Sequence, residues 1–340
     1  MKIKSKHVVR YMKMLTETSA FSMVKEFQVK GDRPLNGFTT YLDTLWCKLR
    51  YGMTVKEYFY FGFYNKSGYA RKSFLSSAEH TWRTAYMINN GDKSLFEEKI
   101  NAYHAFKPFY RREAVALTLP ADVDKMQVFA QRHGGFILKP HGSSQGQGIC
   151  FWKKDMDHAD SLLKQIGESH WGGVILEELI RQDSEMASFH PTSINTIRYV
   201  VDYRKDTVDR LWAIIRIGVG DSKVDNTSAG GICAAIDLET GVIVSKGVRR
   251  DGGCYLFHPD TGKQILGETI PKWKELNDMI DMLRPVGTPV HLVGWDFALS
   301  EKGWCIVEGN ACPSIMGIQG SMDMGYRKVM KRVRENMSKV

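Results

Sequence analysis

The chain has 340 residues, 43% of them hydrophobic, enough for a sizeable core in one large domain or two smaller ones, and a formal net charge of +9 that suits an acidic partner without choosing one. No run of about 18 apolar residues occurs and the N-terminal segment lacks a continuous apolar stretch, so neither a membrane span nor a secretory signal is expected and a cytoplasmic location is the default. The six cysteines, Cys47, Cys150, Cys233, Cys254, Cys305 and Cys312, show no C-x-x-C spacing and read as small buried residues rather than zinc ligands or disulfide partners.

Residues 1–92 read as a mainly helical, aromatic-rich extension. Val8, Val9, Met12 and Leu15 recur at helical spacing, and the run Tyr58-Phe59-Tyr60-Phe61-Gly62-Phe63-Tyr64 is either core or a recognition surface. Ser76 opens a predicted helix to Asn89, and Ser94, with Glu97 completing a capping box, opens another that runs to Ala116 and is kinked or split at Pro108. Lys99 and Lys107 lie on that second helix, near enough to two turns apart to project from neighbouring faces. Asp122 caps a short helix, Val123–Arg132, which Gly134 ends.

From Phe136 the pattern changes to strands. Phe136–Pro140, Gly148–Trp152 and Gly173–Ile180 are apolar runs, the last two separated by a helix over Asp157–Gly167. Ser193–Tyr203, Arg210–Val219, Ile232–Leu238 and Val242–Val248 follow, so the expected fold class is α+β with largely antiparallel sheets. A helix over Pro271–Leu283 precedes a hairpin of Val290–Leu299 and Trp304–Asn310, joined at Ser300-Glu301-Lys302-Gly303, and a basic helix over Gly320–Met337 ends the chain. Lys2, Lys4, Lys6, Arg10 and Lys13 at one end, and Arg327, Lys328, Lys331, Arg332, Arg334 and Lys339 at the other, are either solvated helix faces or a binding patch.

Three stretches carry chemistry. In the hairpin, a turn centred on Lys302 sets Asp296 opposite Glu308, with Asn310 on the same face; two facing carboxylates need a neutraliser, and two carboxylates plus an amide oxygen suit Mg²⁺. A solvated acidic hairpin is the alternative. Lys139 precedes the loop His141-Gly142-Ser143-Ser144-Gln145-Gly146-Gln147-Gly148, which matches neither a Walker loop nor a dinucleotide fingerprint, yet offers backbone amides beside a lysine; a plain hairpin turn is the rival reading. Arg198, sharing a face with Thr196 and Asp202, and Arg216 are either anion clamps or residues of a wet sheet face.

In this order Lys99, Lys139 with its Gly-rich loop, Glu177-Glu178-Leu179-Ile180, Arg198, Arg216, Asp225-Asn226, Gly230-Gly231, Asp296 and Glu308-Gly309-Asn310 resemble ATP-grasp enzymes. Thr196-Ile197-Arg198, Val224-Asp225-Asn226, His258-Pro259, Ile270-Pro271-Lys272-Trp273 and Gly294-Trp295-Asp296 are most similar to the sugar-transfer associated branch, akin to teichuronopeptide-type relatives, over about Ser94 to Gln319. The resemblance implies an ATP-grasp fold whose two subdomains, 93–180 with the Gly-rich lid and 181–340 with the metal site, clasp ATP behind the 1–92 extension. It implies that Lys99, with Lys107 as its competitor, and Lys139 contact phosphates, that Ser143, Ser144, Gln145, Gly146 and Gly148 form the lid, and that the Glu177–Ile180 strand end, through the Glu178, Leu179 and Ile180 backbone, reads adenine. By the same resemblance Asp183 or Glu185 takes the ribose; Asp296, Glu308 and Asn310 bind Mg²⁺, two ions in all; Arg216 faces the transferred phosphate; and Arg198 and the Asn226 turn are candidates for holding the acceptor carboxylate or the acyl-phosphate. The implied activity is an ATP-dependent carboxylate–amine ligase working through an acyl-phosphate, its substrates a small carboxylate and an amine, one of them a sugar or anionic glycan precursor. A kinase using the same site and a non-catalytic basic glycan- or nucleic-acid-binding protein are the alternatives.

Overall fold

Among the described residues, every strand pairs antiparallel with its neighbours, as the succession of short apolar runs predicts. The computed structural model describes residues 35–89, 94–97, 99–141, 148–170, 172–204, 207–284 and 290–337. The basic residues Lys2 to Lys13, Lys339 and the lid residues Ser143, Ser144, Gln145 and Gly146 lie outside the described residues.

Strands β1 (Ala114–Leu119), β2 (Gly135–Pro140), β3 (Cys150–Lys153) and β4 (Gly172–Glu178) form one sheet in the order β1-β4-β2-β3. Alternation sends Leu117, Phe136, Leu138, Val174 and Leu176 to one face, where helices Val123–His133 and Ala159–Gly167 cover them with Met126, Phe129 and Ile166. The first of these helices ends as expected at Gly134, whose φ of 64° is the left-handed conformation a C-cap needs. The same alternation leaves Lys139 and Glu177 on the opposite face.

The second sheet takes β5 (Thr196–Tyr203), β6 (Val208–Ile217), β7 (Ile232–Ile236), β8 (Gly247–Val248), β9 (Cys254–Tyr255), β10 (Leu292–Ser300) and β11 (Gly303–Asn310) in the order β11-β10-β5-β6-β7-β8-β9. Both of its faces are buried. Ile197, Tyr199, Val201, Ala213, Ile215, Trp295 and Phe297 join helix Trp273–Met282 on one side. Val200, Trp212, Ile214 and Leu292 meet Leu75, Ile88, Ile318 and Met330 on the other. Arg198, Arg216 and Asp296 alternate onto this second side, so a wet sheet face is not their environment.

The N-terminal helices, beginning with Gly37–Tyr51 and Val55–Tyr60, enclose their own core of Tyr58, Phe59, Phe61, Phe63 and Phe74, so the aromatic run is packing rather than a recognition surface. Two buried amides pin this region, one to the second sheet and one to helix Met316–Ser321. Asn89 donates to the carbonyls of Leu292 (2.9 Å) and Ala311 (2.6 Å) and accepts from the amides of His291 and Leu292 (both 2.8 Å), which uses all four of its hydrogen-bonding positions. Gln319 accepts from the amides of Leu75 and Tyr326 and donates to the Leu75 carbonyl.

Two expectations are corrected. The helix predicted to run through Ala116 kinks at Phe106, ahead of Pro108, and ends at Tyr110; Ala114–Leu119 instead pairs with residues 172–177 of β4, because its alternating apolar residues fit a half-buried strand better than a helix face. The terminal basic helix is two, Met316–Ser321 and Arg327–Met337, separated where Asp323 takes a φ of 49°. Replacing Asn89 with Ala leaves four buried backbone groups without their partner, and should cost about 3 kcal/mol of stability, read as a lowered urea midpoint.

Candidate active site

Four of the residues singled out in the sequence, Lys99, Lys139, Glu177 and Glu308, line one small cavity between the sheets together with Phe96, Ala102, Tyr110, Val307 and Gly309. Its volume of about 10 Å³ admits roughly one water. Lys99 begins helix Lys99–Tyr110 and is partly buried, whereas its competitor Lys107 is exposed on the same helix. Burial pulls the pKa of Lys99 down, Glu308 partly offsets this, and Lys139 adds to it.

Lys139 and Glu177 meet because β2 and β4 are paired with Ile137 opposite Glu177 and Lys139 opposite Ile175, which makes them diagonal neighbours on one face. The Lys139 ammonium donates to Glu177 Oε1 at 2.8 Å, and Arg112 donates to Oε2 at 3.0 Å through Nε and 2.6 Å through Nη2. Burial pushes the Glu177 carboxyl up, but Lys139 and Arg112 together outweigh it and hold it at about 2.

The hairpin places Asp296 opposite Glu308 by a route the symmetric turn does not describe. Its loop is the two residues Glu301-Lys302, with Gly303 at φ 95°, so Ser300 faces Gly303 and Phe297 faces Ile306. A β-bulge at Val307 then shifts the register by one and brings Glu308 opposite Asp296, and Asn310 opposite Gly294. In this structure Asp296 is neutralised by two arginines. Arg198, its partner across β5, donates to both carboxylate oxygens, one of them at 2.7 Å, and Arg216 donates to Oδ2 at 3.0 Å. Burial pushes Asp296 up, but the two arginines outweigh it and hold its carboxyl below the ordinary value. Arg216 also donates to Thr196 Oγ1 and lies 3.4 Å from Asp225, whose carboxylate accepts from the Thr196 amide at 3.0 Å and from the Thr196 hydroxyl. Burial keeps Asp225 raised, against the pull of Arg216.

The remaining predicted residues stand apart from this cluster. Glu178 turns to the other side of β4, accepting from the Glu113 amide at 3.2 Å and from Lys302 at 3.4 Å. Leu179 and Ile180 follow the strand with their backbone outside the ladder, half-buried. Asp183 caps helix Ser184–Ala187 by accepting from the Glu185 amide, and Glu185 lines a second cavity, about 300 Å³, with Ser184, Ser188, Phe189, Lys263, Glu268, Thr269 and Pro271. Asn226 caps the turn Thr227–Ala229, and Gly148 is exposed with a φ of 70°. Among the described residues no three His, Cys, Asp or Glu side chains cluster as a metal site, and no helix is long and apolar enough to cross a membrane.

A family model described as sugar-transfer associated ATP-grasp matches residues 100–335, well over half of the chain. The chain belongs to that family. Among solved structures it is similar to D-alanyl-alanine synthetase A from Vibrio cholerae O1 biovar eltor (13% identity, 72% of this chain and 65% of that chain, TM-score 0.42). It is also similar to the ATP-grasp ligase PsnB with its minimal precursor (13% identity, 71% and 60%, TM-score 0.42) and to D-alanine–D-alanine ligase from Bacillus anthracis (14% identity, 73% and 68%, TM-score 0.40). The chain spans less than two thirds of the length of the first two. No curated protein matches it in sequence.

Sequence reasoning missed Arg112 altogether and left Asp225 without a role of its own. The pair Arg111-Arg112 directly before a strand was the available signal for the first, but nothing local tells a buried arginine from an exposed one. Replacing Glu177 with Gln tests the electrostatic account. A carboxyl held at about 2 against an ordinary 4.5 contributes stability that is present above about pH 4.5 and is lost as pH falls towards 2. Glu177→Gln should therefore be less stable than wild type by about 3 kcal/mol at pH 7, the gap narrowing between pH 4.5 and 2, as followed by urea unfolding at each pH.

Proposed function

We propose that this protein is an ATP- and Mg²⁺-dependent carboxylate–amine ligase acting through an acyl-phosphate. The observation that supports it most is the convergence, on one enclosed cavity, of Lys99 and Lys139 from one side and Glu308, next to Asp296, from the other. Two cations, Lys99 and Lys139, and two carboxylates, Glu177 and Glu308, line that cavity, and Arg112 pairs with Glu177 from behind it, which leaves Lys139 a shared rather than a sole partner of that carboxylate.

In this reading Lys99 and Lys139 hold the phosphates, the Glu178–Ile180 backbone reads the adenine edge, and Asp183 or Glu185 receives the ribose. Asp296, Glu308 and Asn310 offer two carboxylates and an amide oxygen on one face of the hairpin, a donor set that fits a hard divalent cation. Mg²⁺ held there supplies charge neutralisation at the phosphate oxygens. Asp296 retains lone pairs beyond those its arginines use, since a carboxylate accepts at about four positions. Arg216 faces the phosphate in transit, and Arg198, with the Asn226 turn, orients the acceptor carboxylate.

A carboxylate oxygen of the acceptor attacks the γ-phosphorus and ADP leaves; the nitrogen of an amine then attacks the acyl carbon, phosphate leaves, and an amide forms. The protein contributes placement and charge, and no side-chain nucleophile is required. A sugar or anionic glycan precursor as one substrate suits the net charge of +9.

Purified protein given ATP, Mg²⁺ and a panel of amino acids, amino sugars and uronates should release ADP and inorganic phosphate in equal amounts. Phosphate retained on the acceptor would make it a kinase, and nucleotide binding without turnover across the panel would leave a binding role. Lys139→Met and Asp296→Asn should each lower kcat/KM about a hundredfold or more, and chelation of Mg²⁺ should abolish turnover.

A further inference from the structure

Arg112 is buried where the two sheets approach each other, and all five N–H groups of its guanidinium find acceptors. Nε and one Nη2 hydrogen serve Glu177 Oε2 on β4 of the first sheet. The rest serve the Tyr110 carbonyl at 3.2 Å and, on β11 of the second sheet, the carbonyls of Ile306 and, at 3.5 Å, Val307. Val307 is the bulged residue that turns Glu308 to face Asp296, and Ile306 is the residue before it. Tyr110 lies beneath the guanidinium, 4.8 Å from its carbon to the ring centre.

A lysine at this position would reach Glu177 as a point charge, but has no planar fork with which to hold two further carbonyls at the same time. The division of labour on Glu177 is equally specific: one oxygen goes to Arg112, the other to Lys139. Without Arg112 the carboxylate keeps a single counter-ion in a buried setting, and its hold on Lys139 loosens or its protonation changes.

We propose that Arg112 is a positioning residue of the phosphate site, which fixes Lys139 through Glu177 and, through the Ile306 and Val307 carbonyls, fixes the bulge that aims Glu308. It touches neither phosphate nor metal, and it ties the two walls of the site to each other. This rests on the nucleotide-site reading given above.

The experiment compares wild type with Arg112→Met, Arg112→Lys, Glu177→Gln, the double variant Arg112→Met/Glu177→Gln, and Lys139→Met. Each is titrated calorimetrically with ADP, with and without Mg²⁺, and its unfolding temperature without nucleotide is recorded. Arg112→Met and Glu177→Gln should each weaken ADP binding about tenfold or more, and the double variant should be no weaker than the worse single, since the path through Glu177 to Lys139 is already broken in Arg112→Met. Arg112→Lys should recover ADP affinity measured without Mg²⁺, yet show a smaller Mg²⁺-dependent gain, because it restores the Glu177 pair and not the clamp on the bulge. A merely structural arginine would instead lower the unfolding temperature and leave the affinity of the folded fraction alone. If folded Arg112→Met binds ADP as wild type does while Lys139→Met does not, or if the two effects add fully, the inference is overturned and the site reading stands. If Lys139→Met also binds as wild type, the site reading itself falls. Should Arg112→Met fail to fold, Arg112→Lys decides: wild-type affinity both with and without Mg²⁺ overturns the proposal.

Discussion

Ionised groups taken out of water between two sheets cost several kcal/mol each unless every one meets a counter-charge in good geometry, and the arrangement of this protein follows from that requirement. Glu177 is held between Lys139 and Arg112, and Asp296 between Arg198 and Arg216, with Asp225 and Thr196 completing the second group. Each group draws its members from strands, and from the segments that hold Arg112 and Asp225, that are neighbours in space but far apart in sequence. Neither group forms until the sheets have their final register, because a slip of one residue on β2, β5 or β10 turns a charged side chain towards an apolar core.

The two groups are joined by small irregularities. A flat, regular hairpin built on a two-residue turn would set Asp296 against Val307, and the bulge corrects this by a single residue. Its cost, an interrupted ladder, is offset by a buried arginine that binds the carbonyls released there. Close approaches around the hairpin are built to match: a Cβ on Gly309 would lie 2.4 Å from the Phe96 ring, and one on Gly294 would lie 2.4 Å from Pro313. Phe96 stacks parallel to Phe106, and both stand edge-on to Trp295, so the helical segments before β1 are packed onto the hairpin by aromatic contact. The N-terminal region serves the same sheet from its other face, where Asn89 and Gln319 satisfy backbone groups that would otherwise be buried without partners.

Much of the fold was legible because alternation and glycine placement are local signals. The strands at Phe136, Gly173, Thr196, Val208 and Leu292, the helix ended by Gly134 and the tight turn at Gly303 all lie where apolar period and φ requirements put them. Ala114–Ala116 was expected to end a helix because Ala and Val fit a helix face as readily as a strand, and only pairing along β4 separates the two. The facing of Asp296 and Glu308 was expected from a turn centred on Lys302, half a residue from the real centre between Glu301 and Lys302, and holds because the bulge supplies the missing residue.

What the sequence by itself determined was the order of most of the elements and the family to which the chain belongs, since each rests on residues close together or on motifs in fixed order, whereas the aromatic run became core only once its helices packed. Only the tertiary structure decided which charges neutralise which. It gave Asp296 to two arginines, Glu177 to Lys139 and Arg112, and brought Lys99 rather than Lys107 to the cavity. The physical reason is that ion pairing is set by distance through space and by burial. Neither is carried by a residue and its neighbours along the chain; both arise when two sheets close on each other and exclude the water that would otherwise have screened every one of these charges.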